Sequence, residues 1–318
     1  MEVHVVAVPM RVRFRGVDVR EVALLEGPAG WGEFGPFLEY DDAEASRWLA
    51  AALDACTTPP PSPRRDRVPV NATVPAVAAA DVDAVLARFP GCTTAKVKVA
   101  EAGQSLADDV DRVAAVRSAL GPAGRVRVDA TGGWSVAEAR RALGALAPYD
   151  LEYAEQPCTT VAELTSLRLC LARVHLDVLV AADESVRKAE DPLKVALAGA
   201  ADVVVLKVAP LGGVGRALEV AEACGLPVVV SSALDTSVGI RAGVALAAAL
   251  PELPFACGLA TTGLMADDVC DYPVVDGALP VVDVVPDPAR LAALAAPPDR
   301  QRWWRERVER CRELIPPA

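Results

Sequence analysis

Apolar and polar positions alternate along this chain in a regular order. From residue 67 onward, short runs rich in Val, Ala and Leu recur about every 22 to 32 residues, and stretches with helical apolar spacing lie between them. Near-continuous apolar strands that alternate with helices predict a parallel sheet covered by helices. The predicted strands are 68–74, 94–99, 126–130, 151–156, 178–183, 203–208, 227–231 and 255–259.

Eight such units favour an α/β barrel of the (β/α)8 type. An open, doubly wound sheet remains the alternative, although no GxGxxG fingerprint follows a first strand. The proline-rich stretch 57–66 predicts a linker. Before this linker, the pattern predicts strands at 3–8 and 19–25, a glycine-rich turn over 27–35 and a helix over 42–53.

The tail that begins at residue 287 follows a different pattern. Residues 300–315 form an arginine-rich amphipathic stretch that contains two adjacent tryptophans. This pattern predicts a surface helix that packs back on the N-terminal segment. A helix lying on a membrane surface is the alternative, and the acidic charge of the whole chain disfavours it.

Charge and composition narrow the class of protein. The formal net charge of −11 argues against a nucleic-acid surface, and no 18-residue apolar run escapes a charge or a proline. The first residues lack the basic charge of a signal peptide, and the eight cysteines form no CxxC pair. We therefore expect a cytoplasmic protein without nucleic-acid or membrane partners. The sequence leaves its oligomeric state, monomer or dimer, open.

Lysine use is the first pointer to chemistry. The chain has five lysines against 27 arginines, and Lys96, Lys98 and Lys207 lie within or at the end of predicted strands. Arginine cannot lose its proton near neutral pH, whereas a desolvated or cation-crowded lysine can. The pattern therefore predicts proton transfer by lysine.

Acidic residues end three consecutive predicted strands, at Asp129, Glu155 and Asp183. The carboxyl ends of parallel barrel strands form the active site, and neighbouring strands lie about 4.8 Å apart. Three converging carboxylates would repel one another, and a hard divalent cation relieves the repulsion. We expect these residues to bind Mg²⁺, with Mn²⁺ as a substitute. Glu184, next to Asp183, is an alternative ligand.

Lys98 and Lys207 lie four predicted strands apart, which places them on opposite sides of an eight-stranded barrel. A substrate held above the metal would have one lysine on each face. The dication and Lys96 would favour the neutral amine of Lys98. That amine can then abstract a proton from carbon.

The order Lys-x-Lys, Asp, Glu, Asp, Lys on five consecutive strands resembles that of the enolase superfamily, in its muconate-lactonizing subgroup. The resemblance implies a modified TIM barrel, (β/α)7β, over 67–286. It also implies a small α+β capping domain of residues 1–66, completed by the tail 287–318. His4 and His175 are the only histidines and neither ends a barrel strand, so a His–Asp dyad as second base is excluded.

Three local stretches resemble the o-succinylbenzoate synthase family of the short actinobacterial type. The resemblance implies Mg²⁺-dependent syn-dehydration of a small-molecule carboxylate, 2-succinyl-6-hydroxy-2,4-cyclohexadiene-1-carboxylate, to o-succinylbenzoate in menaquinone biosynthesis, through an enediolate. Lys98 would take the α-proton and return it to the departing hydroxyl. Lys207 would lie opposite as a cation, and Lys96 would tune Lys98 and contact the carboxylate. The stretches are 68–75, 231–239 and 258–265.

Residues on the substrate side are expected at the last strand ends. Ser231, Ser232 and Gly258 are candidates for the succinyl side. Arg127, which shares a strand face with Asp129, is a further candidate substrate residue. The resemblance further implies that cap loops cover the substrate, here 13–19 and 32–39. One departure is Thr131, where relatives often carry Asn.

The same two lysines also suit an N-acylamino acid racemase or a dipeptide epimerase, acting as two bases on opposite faces of an α-carbon. The last strand end, at Gly258, lacks the carboxylate that dipeptide epimerases often place there. A non-catalytic barrel that serves as a binding protein is the third possibility. The five polar strand ends disfavour it.

Overall fold

The computed structural model describes residues 2–187 and 194–315. Its strands fall into a three-stranded antiparallel sheet, a seven-stranded parallel sheet and a two-stranded ribbon. The strands are β1 (Glu2–Phe14), β2 (Val17–Gly27), β3 (Gly30–Phe34), β4 (Arg67–Pro69), β5 (Ala72–Val74), β6 (Thr94–Lys98), β7 (Arg125–Asp129), β8 (Leu151–Glu155), β9 (Val180–Ala182), β10 (Val203–Leu206), β11 (Val228–Val230) and β12 (Ala278–Pro280).

Helices follow most strands of the parallel sheet, and side-chain caps fix where several of them start. Ser105, Ser135 and Thr160 each form a capping box with an acidic residue three positions on. The helices are α1 (Asp42–Thr57), α2 (Val82–Leu86), α3 (Leu106–Leu120), α4 (Val136–Leu146), α5 (Val161–Arg173), α6 (Glu184–Arg187), α7 (Lys194–Leu197), α8 (Val208–Leu211), α9 (Val214–Cys224), α10 (Ser237–Ala249), α11 (Pro288–Ala293) and α12 (Pro298–Glu313).

The seven parallel strands run in the order β11-β10-β9-β8-β7-β6-β5. The curled sheet is closed by Cys257 and Gly258, which make single parallel bridges to Val70 on one side and Ser231 on the other. The α/β barrel expectation is therefore confirmed. The prediction of a full eighth strand over 255–259 is wrong, because only these two residues pair.

The predicted first strand, 68–74, is also divided. Its first part is β4, which pairs antiparallel with β12, and its last part is β5, which joins the barrel. The two parts are separated by Val70 and Asn71, whose amides donate to Gly277 and Cys257. The chain thus leaves the small ribbon and enters the barrel within one apolar run.

The antiparallel sheet, β1-β2-β3, packs against α1 and α12, and we call this group of elements the cap. The turn predicted over 27–35 is wrong in part, because β3 lies within it. Gly32 allows this arrangement, since a Cβ there would meet the backbone of Ala52 in α1. The glycine serves close packing of a helix on a strand.

The tail helix α12 packs on the cap, as the sequence predicts. Trp304 is fully buried, and its indole Nε1 donates to Glu21 at 2.8 Å. Arg300 also binds Glu21, and Arg310 binds Asp42. The exact domain limits at 66 and 287 stay a prediction. Among the described residues, no helix has the length and hydropathy needed to cross a bilayer.

Candidate active site

The carboxyl ends of β6, β7 and β8 bring three charged side chains to one level. Lys98 pairs in register with Asp129, and Asp129 pairs in register with Glu155. Lys96 lies two residues before Lys98 and therefore faces the same barrel interior. The parallel ladder thus sets the spacing of these groups without any contribution from loops.

Ion contacts join these groups tightly. Lys98 Nζ lies 2.7 Å from Asp129 Oδ2, and Lys96 Nζ lies 2.7 Å from Glu155 Oε1 and 3.4 Å from Asp129 Oδ2. All four side chains are largely buried. The structure therefore brings together Lys96, Lys98, Asp129 and Glu155, as expected.

Electrostatics set the charge state of this cluster. Burial alone would lower the pKa of Lys96, but Glu155 and Asp129 outweigh it and raise that pKa. Burial would raise the pKa of Asp129, yet Lys98 and Lys96 hold it well below its usual range. Burial raises the pKa of Glu155 to about 7, and the charge of Asp129 adds to this rise while Lys96 opposes it. Lys96 is thus held as an ammonium by its two acidic neighbours.

The third carboxylate lies on the far side of the site. Asp183 follows β9, and its Oδ2 lies 2.5 Å from Lys207 Nζ, after β10. Asp183 is buried, while Glu184 begins helix α6. This placement favours Asp183 over Glu184 as the ligand.

Gln156 holds the Asp183 backbone in place, and sequence reasoning missed it. Its Oε1 accepts hydrogen bonds from the amides of Asp183 at 3.0 Å and Ser185 at 3.2 Å, and its Nε2 donates to Ser185 Oγ at 2.7 Å. The side chain is completely buried. The available signal was a polar residue directly after Glu155 at a strand end.

The acidic residues fit a divalent cation by their chemistry. Glu155 Oε2 is buried and has no hydrogen-bond partner among the described residues. Such an orphaned oxygen is costly unless a cation or a donor meets it. Among the described residues, Glu2, His4 and Glu26 bring donor atoms within 4.8 Å of one another. Asp129, Glu155 and Asp183, each paired with a lysine, do not meet that spacing.

Lys98 is held from three directions. Its Nζ donates to Thr131 Oγ1 at 2.6 Å, and its carbonyl accepts from Arg112 Nη1 of α3 at 2.8 Å. The ring of Phe14, in the cap hairpin, lies 5.6 Å from Nζ. Thr131 also donates to Asp129 Oδ1 from its amide and its hydroxyl, both at 3.1 Å. Thr131 therefore links Lys98 to Asp129, although its type departs from the expected Asn.

The predicted substrate-side residues lie together at the point where the barrel closes. Ser231 Oγ and Ser232 Oγ lie 3.4 and 3.0 Å from the Gly258 carbonyl, and Ser232 Oγ lies 2.8 Å from Thr261 Oγ1. A Cβ at Gly258 would stand 2.6 Å from Ser231 Oγ. Close backbone approach explains the glycine, and whether these residues bind substrate stays a prediction.

Arg127 has a different setting from the other predicted substrate residues. Its side chain is fully buried, pairs with Glu152 and donates to the Ala256 carbonyl at 2.6 Å. The guanidinium lies 4.7 Å from the Tyr153 ring centroid and 5.7 Å from that of Phe255. These contacts favour a structural role in the barrel interior, because no surface of Arg127 is open to a substrate.

Family models and solved structures both match this chain. Residues 78–286 match the family described as enolase C-terminal domain-like, and residues 5–56 match the enolase N-terminal domain-like family. A muconate lactonizing enzyme from Pseudomonas fluorescens has a TM-score of 0.77 at 21% identity, covering 93% of this chain and 98% of its own. The L-Ala-D/L-Glu epimerase of Bacillus subtilis has a TM-score of 0.74 at 23% identity, covering 90% and 96%. These structures establish the fold.

Sequence relatives are much more similar. The o-succinylbenzoate synthase of Mycolicibacterium smegmatis is 64% identical over 314 residues, which are 98% of this chain and 95% of the relative. The enzyme of the same name from Mycobacterium tuberculosis strain H37Rv is 62% identical over 317 residues, 99% and 95%. The chain therefore belongs to the o-succinylbenzoate synthase family of the enolase superfamily.

Proposed function

We propose that this chain is a carbon–oxygen lyase that dehydrates 2-succinyl-6-hydroxy-2,4-cyclohexadiene-1-carboxylate to o-succinylbenzoate, a step of menaquinone biosynthesis. The observation that carries the proposal is the placement of Lys98 and Lys207, four strands apart in the sheet, each beside a buried acid. The activity named for relatives of 62 to 64% identity supports the same reaction.

Lys98 is proposed as the single acid and base. Its Nζ would take the α-proton of the substrate and then return it to the departing hydroxyl on the same face, which gives syn elimination. Contacts from Thr131 and Arg112 fix Lys98 at its tip and at its backbone. Such fixation keeps the amine within reach of both the carbon and the oxygen during the reaction.

Asp129, Glu155 and Asp183 are proposed to hold Mg²⁺, which Mn²⁺ could replace. When bound, the cation would supply positive charge to the substrate carboxylate as negative charge develops there. The orphaned Glu155 Oε2 and the all-oxygen donor set support this assignment. Lys96 stays an ammonium beside two of these acids and would orient them.

Lys207 is proposed as a stationary cation on the opposite face of the substrate. Asp183 Oδ2 lies 2.5 Å from its Nζ, and this ion pair holds the side chain in place. A cation near a developing π system stabilises it. The cap residue Phe14 would close the site above Lys98 and keep bulk water from the reacting carbon.

The test is the ultraviolet absorbance of the cyclohexadiene substrate with purified protein and Mg²⁺. We expect the diene band to disappear, and the loss to stop after addition of EDTA. No turnover by folded protein that binds Mg²⁺ would overturn the assignment. Exchange of α-protons of N-acylamino acids or dipeptides in D₂O would then identify the racemase or epimerase alternative, which uses the same two lysines.

Three further expectations accompany this function. The capping domain is proposed to comprise residues 1–66 and 287–318, with the barrel over 67–286. We expect the enzyme to act in the cytoplasm, where its substrate is a small soluble carboxylate. Size-exclusion chromatography with light scattering would decide between monomer and dimer.

A further inference from the structure

Three ionisable side chains are buried between the cap and the barrel, outside the catalytic cluster. Arg20 lies on β2, Glu33 lies on β3, and Asp235 lies in the segment that joins β11 to α10. Their exposed fractions are 3%, 7% and 9%. A buried ionisable side chain needs specific partners. The contacts of these three residues therefore show which segments they hold together.

Arg20 reaches from the cap to the barrel segment. Its Nε donates to the Leu234 carbonyl at 2.9 Å, and its Nη2 donates to the carbonyls of Ala233, at 3.3 Å, and Gly35. Leu234 has a φ of 64°, a left-handed conformation that is unfavourable for a side chain of its size. The arginine therefore fixes a backbone conformation that the segment would not favour by itself.

Glu33 fixes the other end of the segment. Its Oε2 accepts hydrogen bonds from Thr236 Oγ1 at 2.6 Å, from the Thr236 amide at 3.1 Å and from the Gly239 amide at 3.0 Å. These amides begin helix α10, whose first N–H groups have no partners within the helix. A cap side chain thus completes the start of a barrel helix.

Asp235 folds the segment onto itself, because its Oδ2 accepts from the Ala233 amide at 3.1 Å. A Cβ at Gly239 would stand 2.7 Å from Asp235 Cβ and 3.0 Å from Glu33 Oε2, so the two acids flank the glycine closely. A cavity of about 20 Å³ lies between Glu33, Asp235 and Ser231 and has room for one water molecule. Ser231 therefore lines the same small cavity as the two acids.

We propose that Arg20 and Glu33 are positioning residues that clamp residues 232–236 to the cap, and that this clamp sets where Ser231 and Ser232 meet the succinyl side of the substrate. The inference rests on the proposed function, and it assigns substrate affinity to contact between cap and barrel. Loss of the clamp would let the serine hydroxyls move while Lys98, anchored by Arg112 inside the barrel, keeps its place.

The first test compares Arg20→Met with Arg300→Met. Both variants remove a guanidinium carried by the cap, but Arg300 contacts Glu21 and not the segment. We expect Arg20→Met to raise KM for the diene substrate about tenfold, with kcat within about threefold, because charged hydrogen bonds that orient the substrate rim are lost. Arg300→Met should lower the melting temperature and leave KM unchanged.

A merely structural role for Arg20 would lower the fraction of active protein, so kcat would fall while KM stayed the same. That result would overturn the proposal. If Arg20→Met does not fold, Arg20→Lys and Glu33→Gln replace it. Arg20→Lys keeps the charge but loses the fork that spans several carbonyls, so KM should still rise. Glu33→Gln keeps an acceptor for the helix amides and should restrict the rise to about twofold.

Hydrogen exchange separates this inference from the proposed function, since it needs no substrate. Amides of 232–239 should exchange faster in Arg20→Met than in the wild type, and Arg300→Met should match the wild type there. Equal exchange in Arg20→Met would overturn the clamp even if the enzyme turns over. Absence of turnover in the wild type would end the proposed function, while faster exchange would still support the clamp.

Discussion

Two sides of the same site are each anchored by a buried arginine, but the arginines come from different parts of the fold. On the base side, Arg112 of α3 donates to the carbonyls of Lys98 and Val77, so every contact lies within the barrel. On the substrate side, Arg20 of the cap donates to Leu234 from 214 positions away in the chain. The proposed base, Lys98, is thus anchored by a helix of the barrel, and the segment beside the proposed substrate residues is anchored by the cap.

The proposed base and the proposed substrate residues are therefore fixed by different kinds of contact. Lys98, Asp129 and Glu155 sit in a continuous parallel ladder, where register fixes their separation. Ser231 and Gly258 are joined by a single isolated parallel bridge, so no continuous ladder fixes their separation. We therefore expect changes on the base side to act on turnover and changes on the substrate side to act on KM.

The largest effect is expected from Lys98→Ala. Loss of the acid and base should lower kcat by about 10³-fold or more. Lys194→Ala is the matched control, because Lys194 is exposed and lies in α7, outside the site. Steady-state loss of the diene band measures both variants. Retention of more than about a tenth of kcat in Lys98→Ala would assign the chemistry elsewhere.

The next largest effect is expected from Glu155→Gln. Loss of one carboxylate oxygen should weaken Mg²⁺ binding by about 100-fold, measured by titration calorimetry. Ser232→Ala, on the other side of the site, should leave Mg²⁺ affinity unchanged. Equal affinity in Glu155→Gln and the wild type would remove Glu155 from the ligand set.

On the substrate side, Gly258→Ala tests the single bridge that closes the barrel. The new Cβ would stand 2.6 Å from Ser231 Oγ, so the serine must move. We expect KM to rise about tenfold with a smaller change in kcat. The clash should also lower the free energy of unfolding of Gly258→Ala. Adding Ser231→Ala removes the clashing oxygen and should recover part of that free energy. A fall in kcat at constant KM would contradict the division between the two sides.

The pH dependence of stability tests the cap side of the comparison. Burial, followed by the charge of Asp235, raises the pKa of Glu33 from 4.5 to about 8. The folded protein thus keeps a proton that the unfolded chain has released. The free energy of unfolding should therefore fall between about pH 4.5 and 8, by up to about 1.4 kcal/mol per pH unit for this group.

Urea unfolding from pH 5 to 9, in the wild type and in Glu33→Gln, measures this slope. Glu33→Gln should reduce the slope without removing it, because burial also raises the pKa of Asp235. An identical slope in both proteins would show that Glu33 is ionised throughout this range.

The smallest effect is expected at Thr131, on the base side. Its φ of 51° is a left-handed conformation, which a β-branched residue adopts poorly and Asn adopts readily. Thr131→Asn should raise the free energy of unfolding by about 0.5 to 1 kcal/mol and keep kcat within about twofold. Thermal denaturation and the diene assay measure the two quantities. Lower stability would mean that the Thr131 hydroxyl outweighs its backbone strain.

Much of the base side could be predicted from sequence, for a definite physical reason. Parallel strands place their carboxyl ends together, so Lys98, Asp129 and Glu155 can be located by counting strands. Sequence reasoning was weakest for residues whose side-chain contacts lie far away in the chain. Gln156 was missed because its partners follow the next strand, and full burial of Arg127 depends on Glu152 and Ala256 around it.

The sequence alone determined the barrel class, the family, and the set of lysines and acids, because apolar periodicity and strand-end residues are local properties of the chain. Only the tertiary structure decided that the eighth strand shrinks to Cys257 and Gly258, and that Arg20 and Glu33 of the cap bind the segment 233–236. The Val70–Cys257 bridge and the contacts of Arg20 and Glu33 join segments about 190 to 214 residues apart. Their energies depend on burial and hydrogen bonds that exist only after the cap and the barrel have packed together.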